Sequence, residues 1–172
     1  MTAMANLVAQ KRVPLDAAWK PVLECASLEV FEMMAGTRLL PFVAPAAAPG
    51  PEPAPPPQSG LTAMVGLAGA LCGMITICCS AGTAIKLASK MAGDEAAKDP
   101  NIVSDAIGEL CNMVAGNFKA KITSLADHCM LSVRTVISGD NYVMQAAEPS
   151  EALQVALNLD SSPIHISLIT QS

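Results

Sequence analysis

The chain has 172 residues, of which 52% are hydrophobic and 15% are charged, and its net charge is −5 at pH 7. This length suits one domain, and the apolar share is large enough to bury a substantial core. A pI near 4.9 without any Lys/Arg cluster argues against binding to nucleic acid or to an anionic membrane surface.

The six cysteines predict reduced thiols in a cytoplasmic protein. The sequence has no CxxC pair, and residues 1–14 lack the basic region and apolar run of a signal peptide. Cys78 and Cys79 are adjacent, so in a strand they would point to opposite faces and could not easily share a metal ion. With only two histidines in the chain, we expect no metal site.

The first third of the chain predicts a helix and then a linker. Residues 1–18 are expected to form an N-terminal extension, and residues 19–172 a single domain. After Pro21, apolar residues recur at helical spacing until the stop signal Gly36: Leu23, Ala26, Val30, Met33 and Met34. Residues 38–43 favour a short strand, which Pro41 confines to a sheet edge or a bulge. The tract APAAAPGPEPAPPPQSG at 44–60 is too rich in Pro to pack, so we expect an extended insertion there.

The apolar stretch at 61–80 has two interpretations. Twenty mostly apolar residues without a charge are long enough to span a membrane. The glycines, the β-branched run at 75–77 and the absence of basic flanking residues instead favour two strands joined around Gly69 and Ala70. Ser80 then resembles the N-cap of a helix over 81–91.

Past Ala126 the pattern becomes extended. Residues 130–138, 142–147, 152–159 and 163–170 are predicted strands, and turn-forming residues separate them. Helices first and strands last are typical of an α+β domain, here with an antiparallel sheet and about three helices.

The segment from Asp99 to Lys121 carries the strongest functional signal. Asp99 is a suitable N-cap, and Pro100 suits a first helical position. One narrow stripe is apolar and predicted to face the core: Val103, Ile107, Leu110, Val114 and Phe118. The other side aligns four residues at i, i+4, i+7 and i+11, which we call the polar ridge: Asp105, Glu109, Asn112 and Gly116.

The polar ridge is either a solvated face or a docking surface. Asn and Gly are less favourable in an exposed helix than Lys, Glu or Ala, by several tenths of a kcal/mol up to roughly 1 kcal/mol each. A docking surface explains them, because Gly116 would let another backbone approach while Glu109 and Asn112 project into a partner. Other chemistry lacks support, since neither histidine lies in a recognisable triad setting and no P-loop or dinucleotide fingerprint is present.

The run SDAIGELCNMVAGN at 104–117 resembles the signature helix of the CheX/CheC class of bacterial chemotaxis phosphatases, with its Asp or Ser, three residues, Glu, two residues and Asn. Residues 66–73 resemble that family's early hairpin, and residues 131–139 resemble the strand after the helix. The likeness covers roughly residues 19–171 apart from the Pro-rich insertion, and it is closer to CheX because a single Glu-x-x-Asn helix is evident. The chain departs from the family at Arg134, where Pro is common, and this bears on local backbone geometry and partner choice.

The resemblance implies a phosphatase that acts on the phospho-aspartate of a CheY-like response regulator, in chemotaxis or related two-component signalling. By this likeness, Asn112 holds the attacking water and Glu109 pairs with a receiver lysine, while Asp105 makes a rim contact with the partner or orients a neighbouring side chain. Gly116 is expected to contact the partner because of its place on the polar ridge. The protein would need no cofactor of its own, because the receiver supplies Mg²⁺, and it is expected to form a cytoplasmic homodimer. Two alternatives remain: a non-catalytic module that sequesters the phosphorylated receiver, and a membrane-anchored or structural protein.

Overall fold

The structure, a computed structural model, describes residues 13–41, 59–140, 142 and 150–171. The insertion at 44–58, residues 42–43 of the first predicted strand and nearly all of the strand predicted at 142–147 lie outside these residues. The helices are α1 (Trp19–Ala35), α2 (Ala81–Ala92), α3 (Pro100–Lys121) and α4 (Thr123–Ala126). The strands are β1 (Leu40–Pro41), β2 (Ser59–Gly69), β3 (Gly73–Ser80), β4 (Cys129–Leu131), β5 (Thr135–Asp140), β6 (Ser150–Leu159) and β7 (Ser162–Gln171).

The strands form one antiparallel sheet in the order β1-β6-β7-β3-β2-β4, and β5 also pairs with β2. Apolar side chains alternate along β2, β3, β6 and β7 and lie on the face that the helices cover, which gives one core. The predicted α+β class is confirmed. The apolar stretch at 61–80 forms β2 and β3, as expected, and no described helix is long and apolar enough to cross a membrane.

Helix α3 lies at the centre of the helical layer. The Asp99 carboxylate accepts a hydrogen bond from the Asn101 N–H at 2.8 Å, so the predicted N-cap is confirmed. The predicted stripe of α3 is entirely buried, and it packs against α1, α2, β2 and β3. At the α1 contact the rings of Trp19 and Phe118 meet edge to face with centroids 6.2 Å apart. The helix that carries the polar ridge is therefore held on several sides.

Three expectations need correction. Met33 belongs to the predicted apolar side of α1 but is 63% exposed, because Val30 and Met34 already occupy the inward positions of that turn. The strand predicted at 130–138 is divided into β4 and β5, with residues 132–134 outside regular pairing. The last two residues of the Pro-rich tract belong to β2, because Gly60 pairs with Ser80 in the hairpin.

The extension predicted at 1–18 stays a prediction for residues 1–12, which are not described. Its end contacts the domain, since Val13 N–H donates to the Ala70 carbonyl at 2.8 Å and Leu15 packs against the core.

Candidate functional site

The polar ridge lies along the outer side of α3, and its four members differ in exposure. The Asp105 side chain is 76% exposed and that of Glu109 is 36% exposed. Asn112 and Gly116 are partly buried, because α1 lies beside the C-terminal half of the helix. The structure thus brings the four predicted residues onto one surface. Asn112 and Gly116 are less exposed there than residues on a fully solvated helix face.

The N-terminal half of the ridge is engaged by Arg134. Its guanidinium donates to Glu109 Oε2 at 2.9 Å and lies 3.6 Å from Asp105 Oδ1. The arginine side chain is 40% exposed, so solvent screens both ion pairs and each contributes little to stability. The sequence pattern singled out Arg134 as a departure from the family, but it gave no indication of this contact.

A β-bulge directs Arg134 towards α3. Leu67 of β2 pairs with Leu131, and Met64 of β2 pairs with Thr135. Between these two pairs the segment that joins β4 to β5 therefore has one residue more than β2. The extra residue shifts the alternation of side chains. Cys129 and Leu131 face the helices before the bulge, and Arg134 and Val136 do so after it, while Val133 is 88% exposed.

The C-terminal half of the ridge borders a groove of about 480 Å³ between α1, α3 and β4. Its walls are mainly apolar, and Asn112 supplies a carboxamide at its edge. A Cβ added to Gly116 would have no heavy atom within 4 Å in the described part of the chain, leaving aside its own helix backbone and its sequence neighbours. Internal packing therefore does not require glycine at position 116. The lining residues are Glu29, Val30, Met33, Asn112, Met113, Gly116, Asn117 and Leu131.

Hydrogen bonds join α1 to α3 at the groove, where Glu29 and Asn117 belong to the lining. Asn117 Nδ2 donates to Glu29 Oε2 at 2.8 Å and to the Ala26 carbonyl at 3.3 Å, and Lys121 Nζ donates to Glu29 Oε1 at 2.9 Å. Hydrogen bonds from Lys121, Asn117 and Cys25 lower the pKa of Glu29 from 4.5 to about 2. No sequence pattern indicates this role of Asn117, because its partner Glu29 lies 88 residues earlier in the chain.

The site offers few chemical possibilities. Among the described residues there is no group of three or more His, Cys, Asp or Glu side chains that could hold a metal ion. Burial raises the pKa of Cys111, beneath the ridge, to about 12, so its thiol is a poor nucleophile. Asn112 is neither acid nor base, and its amide can only donate and accept hydrogen bonds. The arrangement suits the orientation of a partner and of a water molecule.

Comparison with known sequences finds a match that includes the helix carrying the polar ridge. Residues 61–158 match the family model described as "Chemotaxis phosphatase CheX". The CheY-P phosphatase CheX of Thermotoga maritima is 35% identical over 80 residues, which are 46% of this chain and 52% of that protein. The match thus spans about half the length of that relative.

Solved structures resemble nearly the whole chain. The chemotaxis protein CheX of Desulfovibrio desulfuricans superposes with a TM-score of 0.74 at 21% identity, covering 90% of this chain and 99% of that one. CheX in the CheX–CheY–BeF3–Mg²⁺ complex from Borrelia burgdorferi gives a TM-score of 0.71 at 25% identity, covering 90% and 98%. The match to the family model covers more than half of the sequence and includes the whole of α3, and so the chain belongs to the CheX family.

Proposed function

We propose that this protein hydrolyses the phospho-aspartate of a CheY-like response regulator, in chemotaxis or a related two-component pathway. The observation that carries the proposal is the position of Asn112, beside Glu109 on a helix held from several sides and at the edge of an open groove. The Thermotoga maritima relative is named as a CheY-P phosphatase, and the Borrelia burgdorferi relative was solved with CheY, BeF3 and Mg²⁺. Both names support a receiver domain as the partner.

Asn112 would act by placing a water molecule. Phosphoryl transfer has a loose transition state, so positioning and electrostatic stabilisation supply most of the catalysis. The Asn112 carboxamide accepts a hydrogen bond from water through its oxygen and donates one through its nitrogen. It can thereby hold the water in line with the phosphorus of an aspartyl phosphate. The receiver would hold the Mg²⁺ and the acyl phosphate, so this chain would need no acid–base pair of its own.

Glu109 would fix the register of docking, while Asp105 and Gly116 complete the surface. Glu109 Oε2 is engaged by Arg134, so Oε1 is the oxygen available to a cation of the receiver. Asp105 is the most exposed ridge residue, which suits a contact at the rim. Gly116 leaves room for a backbone to approach the groove.

A homodimer in the cytoplasm belongs to the same proposal. The family resemblance supports the pairing of two chains. The buried thiols of Cys78, Cys79, Cys111 and Cys129 are free, which suits a reducing compartment.

Asn112→Ala tests the catalytic assignment. Loss of one well-aimed polar group should lower the rate of dephosphorylation by roughly 10²-fold or more, while the melting temperature stays near that of the wild type. Asn101→Ala is a matched control, because it removes an exposed amide from the same helix about 16 Å away at 1.5 Å per residue. Full activity of Asn112→Ala on a receiver that the wild type dephosphorylates would refute the assignment.

A titration below equivalence separates the enzyme from a sequestering module. Sub-stoichiometric protein should clear an excess of phosphorylated receiver in the presence of Mg²⁺, whereas the isolated protein should not hydrolyse acetyl phosphate. A module that only binds would protect one receiver per site and leave the decay rate unchanged or lower.

A further inference from the structure

We infer that Arg134 is a positioning residue for docking: it holds Glu109 Oε2 and thereby presents Oε1 to a single cation of the receiver. The inference rests on the proposed function and adds a residue outside the family's motif. Its basis is the contact of the guanidinium with Glu109 at 2.9 Å and its approach to Asp105 at 3.6 Å.

The position of Arg134 is built into the fold at two places. The bulge between β4 and β5 directs the side chain to α3, and bulges near functional sites commonly re-aim a residue in this way. The helix makes room for the stem at Gly108, where a Cβ would lie 2.8 Å from Arg134 Cδ, 3.0 Å from its Nε and 3.1 Å from Val136 Cγ2. The extra strand residue directs Arg134 to α3, and the glycine lets the stem lie against the helix, so the fold supports the contact with Glu109 at both places.

The fork geometry of arginine suits the two carboxylates of the ridge. Asp105 and Glu109 are one helical turn apart, and one guanidinium spans both with two different nitrogens. The two negative charges and one positive charge leave a net charge of −1 on this part of the surface. A receiver group of one positive charge, reaching Glu109 Oε1, is the complementary partner.

Arg134 has two opposite effects on receiver binding, because it repels the receiver cation and it also orders the Glu109 side chain that binds this cation. The guanidinium repels that cation, but the Asp105 carboxylate, 3.6 Å from its second terminal nitrogen, offsets part of the repulsion, and solvent screens what remains. A glutamate side chain that is free in the unbound protein loses rotamer freedom when it docks. Holding Glu109 beforehand removes part of this loss, so Arg134 should strengthen binding without affecting the chemical step.

The experiment measures kcat and KM for the phosphorylated receiver with Arg134→Met, Arg134→Lys and the control Arg38→Met. Methionine keeps an unbranched stem over Gly108 but removes the charge, so the fold should persist, as a melting curve will show. We expect KM to rise about 2- to 10-fold in Arg134→Met with kcat unchanged, which corresponds to ordering one side chain. The rise of KM should be smaller in Arg134→Lys than in Arg134→Met, because lysine still pairs with Glu109. Some rise should remain, since lysine cannot span both carboxylates. Arg38→Met removes another exposed arginine and should have no effect.

The Glu109→Ala background supplies the decisive comparison. If Arg134 acts through Glu109, then Arg134→Met should produce no further change in KM once Glu109 is absent. Independently of any receiver, side-chain NMR relaxation should show Glu109 more mobile in Arg134→Met than in the wild type.

Each other outcome overturns the inference in a distinct way. A lower KM in Arg134→Met would make the arginine a competitor of the receiver, and a lower kcat would place it at the reacting phosphate. If the wild type is active and Arg134→Met has the same KM, the positioning role is refuted and the proposed function is not. The same conclusion follows if Glu109 is equally mobile in Arg134→Met and in the wild type. A wild-type protein inactive on every receiver refutes the proposed function, and this inference with it.

Discussion

Gly116→Ala should stabilise the protein and impair its activity. Gly116 lies within α3, five residues before its end at Lys121, and an added Cβ would have open space around it. Alanine is favoured over glycine in a helix by about 1 kcal/mol, which for a chain of this size raises the melting temperature by roughly 2–4 °C. A solvated face predicts this gain and no change in activity.

A docking surface predicts a second effect of the same methyl group. If a receiver backbone approaches Gly116, an extra methyl overpacks the contact at a cost of about 1–3 kcal/mol. Such a cost corresponds to roughly a 5- to 150-fold loss of kcat/KM. The assay pairs thermal unfolding with dephosphorylation of a phosphorylated receiver.

Gly82→Ala is the matched control. Gly82 lies in the first turn of α2, and a Cβ there also meets no heavy atom within 4 Å in the described part of the chain. This variant should gain stability, by less because it is close to the helix end, and keep full activity. If Gly116→Ala is more stable than the wild type and has the same kcat/KM, Gly116 is not part of the docking surface. Lowered stability would contradict the open space on which the reasoning depends.

Two further predictions concern titratable side chains. Because hydrogen bonds to α3 lower the pKa of Glu29 from 4.5 to about 2, the charged form stabilises the fold above pH 4.5, and this contribution disappears as the pH falls to about 2. Glu29→Gln should therefore lower stability slightly at pH 6 and not at pH 2; a loss of stability that is the same at both pH values would contradict the assignment. Burial raises the pKa of Cys79 and Cys111 to about 12 and keeps both thiols from solvent, whereas Cys25 is exposed, although its hydrogen bond with Glu29 also raises its pKa. Iodoacetamide at pH 8 should therefore label Cys25 before either buried thiol in the native protein, as peptide mass spectrometry can measure. Labelling of all three thiols at one rate would show that the core opens on the time scale of the reaction.

Local patterns were sufficient for most of the fold. The N-cap Asp99, the stripe of α3 and the stop at Gly36 are each decided by neighbours within a few residues, and all of them agree with the structure. The hairpin of β2 and β3 was predicted for the same reason, since its turn and its β-branched residues are local features. The polar ridge also followed from helical spacing, because one helix fixes the relative positions of its own side chains.

Only the tertiary structure determined what surrounds the ridge. The bulge between β4 and β5 depends on pairing with β2, which lies more than 60 residues earlier in the chain, so no local pattern could show that Arg134 faces α3. The contact of Glu29 with Asn117 and Lys121 likewise joins α1 to α3 across a separation of about 90 residues. Sequence periodicity thus specified which side of α3 carries the polar ridge, because that depends on the geometry of a single element. The arginine beside Glu109 and the groove beside Asn112 depend on how separate elements pack, and that information lies in the assembled core.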